Sequence, residues 1–234
     1  MLEMNSKRKE SGASQQSYDN AKLEFHSAIS DIAKHGGLSH GDAFSSFLTA
    51  AFGALLQACN LVKYGRADEK LEASVAAEQQ KGGVEFYGKA MAAITKAFSC
   101  EQRDFLGEYA GTLSILSKGR AQYFTPHCVS QLLSQLELSD IGSKKNSPYV
   151  FNEPACGSGG TIISALETIK KQGLYPWEFY FVAQDVDFRC VQMTFIQTTM
   201  AGIPCVVQHA DTLNLAVYNT YTNLPMLLHH PFRT

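Results

Sequence analysis

Tyr149-Val-Phe-Asn-Glu-Pro-Ala-Cys-Gly-Ser-Gly-Gly160 is the stretch on which the fold turns. Its first three residues are apolar or aromatic and predict a short strand. Asn152 to Gly160 predicts a Gly-rich turn, and Thr161 to Lys171 follows a helical pattern. Glycines in such a turn let backbone N–H groups approach a ligand, and the start of the helix adds partial positive charge. A nucleotide-like cofactor at the carboxyl end of the first strand is the expectation. Two more short apolar runs, Phe179 to Ala183 and Pro204 to Gln208, flank an amphipathic stretch containing Val191, Phe195, Thr198 and Met200. Strands alternating with helices in this way predict βαβ units in a parallel sheet.

Spacing narrows the ligand. A dinucleotide fingerprint requires a glycine where Ile162 stands, and a Walker lysine is absent, which disfavours a dinucleotide oxidoreductase. Gln184-Asp-Val-Asp187 ends the second strand, where an acidic side chain can accept both hydroxyls of a ribose. His209-Ala-Asp-Thr-Leu213 ends the third, where a carboxylate or amide can take the exocyclic amine of adenine. Each acid alone can equally serve as a helix N-cap, Asp187 above all. Glycine turn, acid and acid on three successive strand ends favour an adenosine-containing ligand.

Upstream, residues 21–116 read as helical. Phe44, Phe47, Leu48, Ala51, Phe52, Leu55 and Cys59 recur at three- and four-residue steps. Leu23, Ile29 and Ile32 start an earlier stripe that Gly36-Gly37 stops. Phe86, Ala90, Met91, Ile94 and Phe98 form a later one, and Phe105, Leu106, Tyr109, Leu113 and Leu116 close the series. These stripes predict a bundle of four or five helices with aromatic residues as core. Residues 1–18 are polar and predict a frayed, disordered terminus. The expected organisation is therefore a disordered 1–18, a helical domain over 19–117 and an α/β domain over 118–234, with a surface loop at Gly142 to Ser147.

Twenty basic and 22 acidic residues give a formal net charge of −2, so a contact with DNA needs a local patch or a partner to neutralise phosphates. The six cysteines lie far apart without metal-ligand spacing, which suggests reduced thiols rather than zinc or disulfides. The most apolar stretch, Leu48 to Cys59, is too short to cross a bilayer, and the N-terminus lacks an apolar signal segment. A cytoplasmic protein with no membrane partner is expected.

Several of these stretches, in this order, resemble the N6-adenine DNA methyltransferase family, in particular the modification subunits of type I restriction systems. Asp104-Phe-Leu-Gly-Glu-Tyr109 is similar to the helix before the family's catalytic domain. Lys118-Gly-Arg-Ala-Gln-Tyr-Phe-Thr-Pro126 resembles its GQ(F/Y)(F)TP segment, and Asn152 to Gly160 resembles its DPACGSGG turn. Cys190 to Pro204 resembles the helix and turn before the third strand. The resemblance implies a Rossmann-like sheet that uses S-adenosylmethionine. It implies cofactor contacts from Tyr123, Phe124, Thr125 and Pro126, from Glu153, Pro154, Ala155, Cys156, Gly157, Ser158 and Gly159, and from Asp185, Asp211 and Thr212. It implies duplex DNA as substrate, with adenine as the target base, and a specificity or modification subunit as partner.

The catalytic segment departs from the pattern. The family's Asn/Asp-Pro-Pro-Tyr/Phe follows a fourth strand and holds a flipped adenine, whereas this chain has His229-His-Pro-Phe232. The resemblance implies His229, Pro231 and Phe232 as a degenerate catalytic set. Two readings stand: a working variant in which imidazole accepts the hydrogen bond, or a solvated strand end without that role. The expected sheet is incomplete at its C-terminal side. The function is accordingly either adenine-N6 methyl transfer or an inactive cofactor-binding or interaction module.

Overall fold

Phe25 is fully buried and meets Phe44, Phe47, Phe105 and Tyr109 edge-on, with ring centroids 4.8–6.3 Å apart. Edge-to-face pairs of this kind add to the burial of the rings themselves. The computed structural model describes residues 2–113, 125–139, 141 and 148–229, with side chains from Ser14 onward. Phe25 belongs to α1 (Leu2–Gly36), its partners to α2 (His40–Tyr64) and α5 (Phe105–Thr112); α3 (Glu69–Gly82) and α4 (Val84–Cys100) complete five helices. Ser39 and Asp68 cap α2 and α3 by accepting backbone N–H groups, and Gly65, at φ 68°, ends α2 in the left-handed region.

Two details of the helical half differ from expectation. Residues from Leu2 through Tyr18 lie in α1 rather than in a frayed tail. The stretch contains no proline, Gln15 and Gln16 bond Asp19 and Asn20 one turn on, and Tyr18 is buried edge-on to Phe105. Leu23 is 68% exposed, and the buried stripe of α1 runs instead through Ala21, Phe25, Ala28, Ile29 and Ile32. The expected boundary at 117/118 and the loop at Gly142 to Ser147 fall outside the described residues.

The second half begins with α6 (His127–Glu137) and continues with β1 (Tyr149–Glu153), α7 (Gly160–Lys171), β2 (Phe179–Asp185), α8 (Phe188–Met200), β3 (Cys205–Asp211), β4 (Ala216–Thr222) and α9 (Leu224–Leu228). The four described strands form one sheet in the order β1-β2-β3-β4. β1, β2 and β3 are parallel, as the βαβ pattern predicts. Phe179, Phe181, Ala183, Cys205 and Val207 turn one face into the core, where α8 packs on β2 and β3.

β4 is a further strand for which the sequence pattern predicts no range. It runs antiparallel to β3, with a register shift at His209/Ala210, and returns the chain to the amino end of the sheet. The turn between them is tight: Leu215 adopts φ 54°, and Asp211 accepts the N–H groups of Leu213 and Asn214. Asn223 then locks the far end by accepting Cys205 N and donating to the Ile203 carbonyl.

Phe52 of α2 joins the halves, touching Phe188 and Phe195 of α8 and Tyr221 of β4. α2 is long and apolar enough to cross a membrane by composition, yet Phe44, Phe47, Leu48 and Phe52 of this helix are buried inside the protein. Replacing the hub side chain, Phe25→Ala, is expected to destabilise the fold by about 3–5 kcal/mol, the cost of a large aromatic cavity, as read by urea denaturation.

Candidate functional site

Three strand ends converge at the glycine turn. Cys156 N donates to the Gln184 carbonyl at the end of β2, Gly157 N donates to Asp185 Oδ2 at 2.9 Å, and Thr212 Oγ1 donates to the Pro154 carbonyl at 2.7 Å. The carboxyl ends of β1, β2 and β3 are thereby tied together. Gly157 and Gly159 have φ of 55° and 93°, conformations that favour glycine. A Cβ on Gly159 would stand 3.2 Å from Thr194 Oγ1, so α8 packs directly under the turn. Thr194 also donates to the Gly157 carbonyl. As at any helix start, the first N–H groups of α7 lack intrahelical acceptors and face the direction from which an anion or polar ligand can approach.

The acids are held in distinct ways. Asp185 accepts Gly157 N on one oxygen and Asp187 N on the other, and burial pushes its carboxyl above the ordinary range against those two bonds. A carboxylate oxygen has two acceptor sites, so both oxygens keep capacity for hydroxyl donors. Asp187 is the N-cap of α8, accepting Arg189 N, which is the alternative the sequence left open. Asp211 is spent on the β3–β4 turn; the Asn214 backbone and amide N–H groups hold its carboxyl below the usual range. Glu153 braces the turn by accepting Thr161 Oγ1 and, at 3.4 Å, Ala155 N.

Two expected ligand contacts face inward instead. The Ser158 side chain is buried and donates to Asp104 Oδ2, and the Cys156 thiol is buried against Thr194, with burial holding it well above the ordinary thiol range. Their side chains support the turn from below, and only their backbone can face a ligand. Thr125 and Pro126 are exposed at the entrance to α6, which packs on α7 through Gln131 and Glu167. Tyr123 and Phe124 lie outside the described residues.

The structure does not bring His229 to this site. β4 carries the chain back along β3, and α9 delivers His229 beside Trp177, 6.2 Å between ring centroids, in the turn that feeds the start of β2. The seven residues of β3 put that end roughly 20 Å from Asp211 at strand rise. The fourth strand expected before the catalytic segment is present as β4, but it runs antiparallel to β3, so the hairpin carries His229 away from the glycine turn. Pro231 and Phe232 lie outside the described residues.

Asp104 is the site residue that the sequence reading passed over. It caps α5 by accepting Gly107 N, accepts Gln197 Nε2 at 2.8 Å and receives the Ser158 hydroxyl. Gln197 also donates to the Ser158 carbonyl and accepts Leu106 N. The signal was the spacing of Asp104 and Gly107: a Cβ on Gly107 would stand 2.2 Å from Asp104 Oδ2. A side chain at a positive-φ glycine of the turn tests it directly. Gly159→Ala is expected to cost about 1–3 kcal/mol through its φ and its approach to Thr194, read as a lowered thermal midpoint.

Comparison with known proteins follows the same lines. The family model described as N-6 DNA Methylase matches residues 101–228. No curated protein sequence matches the chain. Among solved structures, it superposes on a Listeria monocytogenes protein assigned to the class I S-adenosylmethionine-dependent methyltransferases, with a TM-score of 0.51 and 14% identity over 85% of this chain and 54% of that one. A type I restriction-modification methyltransferase subunit from Streptococcus thermophilus gives a TM-score of 0.48 and 10% identity, over 85% and 59%. The chain thus spans little more than half the length of either. At such identity the Listeria structure shows the fold alone, whereas the family model covers more than half of this sequence, including Asp104, the glycine turn, Asp185 and Asp211: the chain belongs to the N-6 DNA methylase family.

Proposed function

We propose that this chain binds S-adenosylmethionine at the carboxyl ends of β1, β2 and β3 and forms the cofactor half of an N6-adenine DNA methyltransferase. The observation that carries the reading is the closure of three strand ends around one turn, through Gly157–Asp185, Cys156–Gln184 and Thr212–Pro154. The residues fit the group. Gly157 and Gly159 keep side chains out of the approach, the start of α7 offers N–H groups, and Asp185 retains acceptor sites for ribose hydroxyls. Asp211 and Thr212, both half-buried, stand at the third strand end, on the side where the adenine ring would lie. When bound, the cofactor supplies a methyl group on a positively charged sulfonium.

The chain's own contribution is to bind and orient. Asp185 is held by backbone N–H groups, so it meets the ribose without first losing side-chain freedom. Duplex DNA would have to present a flipped adenine near the turn. With a net charge of −2, the phosphate contacts are assigned to a specificity or modification subunit rather than to this chain alone. The same reading places the protein in the cytoplasm.

The position of His229 favours a second reading, in which this chain binds cofactor but does not itself hold the target base. Isothermal titration separates the possibilities. S-adenosylmethionine is expected to bind the wild type, and Asp185→Ala is expected to weaken binding by about tenfold or more, the effect of losing charge-assisted hydrogen bonds. Absence of heat with the wild type overturns the cofactor site. Methyl transfer to duplex DNA, measured with radiolabelled cofactor with and without a specificity subunit, supports the enzyme; binding without transfer in either case supports the second reading. His229→Ala is expected to leave cofactor affinity unchanged in the same titration, because the residue lies at the other end of the sheet.

A further inference from the structure

Among the described residues, the helical half hydrogen-bonds to the glycine turn through one side chain. Asp104 sits at the head of α5, is 7% exposed, and has neutral donors from three separate segments: Gly107 N of α5, the Ser158 hydroxyl of the turn and Gln197 Nε2 of α8. Its surroundings are shaped to admit it. Cβ atoms on Gly107 and Gly160 would stand 2.2 Å and 2.9 Å from Asp104 Oδ2, so two glycines leave the space that the carboxyl group fills. Gln197 completes the knot by holding the Ser158 carbonyl and Leu106 N with its two amide atoms.

A buried carboxyl group is costly where a packed apolar side chain would do, and three hydrogen bonds are what make it tolerable. What this group adds over an apolar filler is a hydrogen-bond partner for the turn: its Oδ2 receives the Ser158 hydroxyl. With Ser158 fixed on both its hydroxyl and its carbonyl, the residues on either side, Gly157 and Gly159, are held in their positive-φ conformations. Those are the residues whose backbone faces the ligand approach.

We infer that Asp104 is the positioning residue of the glycine turn: delivered from the helical half, it holds Ser158 and thereby sets residues 156–160 for the cofactor. The inference rests on the cofactor reading of the site given above. It also makes the helical half part of that site, since α5 is seated on Phe25 of α1 through Phe105 and Tyr109.

The test uses the full chain and compares wild type with Ser158→Ala, Asp104→Ala and Asp104→Asn. Two measurements are made: S-adenosylmethionine titration, and amide hydrogen exchange of the segment around residues 155–161 without ligand. Ser158→Ala and Asp104→Ala are expected to weaken the cofactor by about tenfold and to speed exchange of the turn by a similar factor, while exchange in α1, α2 and α4 stays as in wild type. Asp104→Asn is expected to restore affinity to within about threefold of wild type: Oδ1 still accepts Gly107 N and Gln197, and the Ser158 hydroxyl can rotate to accept from the new amide. Should Asp104→Ala fail to fold, Ser158→Ala, which deletes one hydroxyl, carries the comparison.

Wild-type affinity and unchanged turn exchange in Ser158→Ala overturn the inference. If the wild type itself binds no cofactor, the site reading falls, and exchange in Ser158→Ala still decides whether Asp104 holds the turn.

Discussion

A carboxyl group withdrawn from water must find donors, and the three that Asp104 finds belong to α5, the glycine turn and α8. That one buried carboxyl group, together with Gln197, ties those segments to one another. α5 carries Phe105 and Tyr109 against Phe25, so the same knot anchors the helical half. α8 carries Thr194 under Gly157 and packs on β2 and β3, so it anchors the sheet. Without the knot the shared hydrophobic core remains, but the turn loses its hydrogen bond to the helical half.

Around that point the division of labour is clear. Aromatic packing supplies cohesion, with Phe25 at the centre of the helices and Phe52 bridging α2 to α8 and β4. Polar contacts supply placement. Asp185 takes its position from backbone N–H groups of the turn and of Asp187, and Thr212 closes the third strand end onto Pro154. The chain's membership in the N-6 DNA methylase family and its S-adenosylmethionine-dependent methyltransferase fold accompany a site made of backbone and a few acids.

Elements with a strong local period were legible from sequence. The strand beginning at Tyr149, the helix ending at Lys171 and the strand beginning at Phe179 all carry an uninterrupted pattern bounded by glycine or proline, and the structure has them with small shifts at their ends. α6 was not legible for a physical reason. Its buried face is made of Ser130 and Ser134, while Leu132, Leu133 and Leu136 are exposed, so hydrophobic periodicity points the wrong way. The start of α1 was hidden likewise, because its polar residues carry no stripe and its order comes from contacts such as Ser14 with the Cys100 carbonyl. Of the candidate site, the glycines, Asp185 and Thr212 were legible as types at strand ends. That Ser158 and Cys156 face inward was not, since a turn motif names residues without saying which side of the backbone lies against the core.

What the sequence by itself determined is local: a strand, a Gly-rich turn that needs positive φ, a helix, and acids at the next two strand ends. The period of the chain and the sterics of glycine dictate these without reference to distant residues. Tertiary structure decided the rest. The direction of β4, and with it the removal of His229 to the far end of the sheet, depends on a hairpin whose turn is capped by Asp211 and whose end is locked by Asn223 on Cys205. The partner of Ser158 is Asp104, 54 residues earlier, and a hydrogen bond over that separation forms only once packing of the helices against α8 brings its ends together.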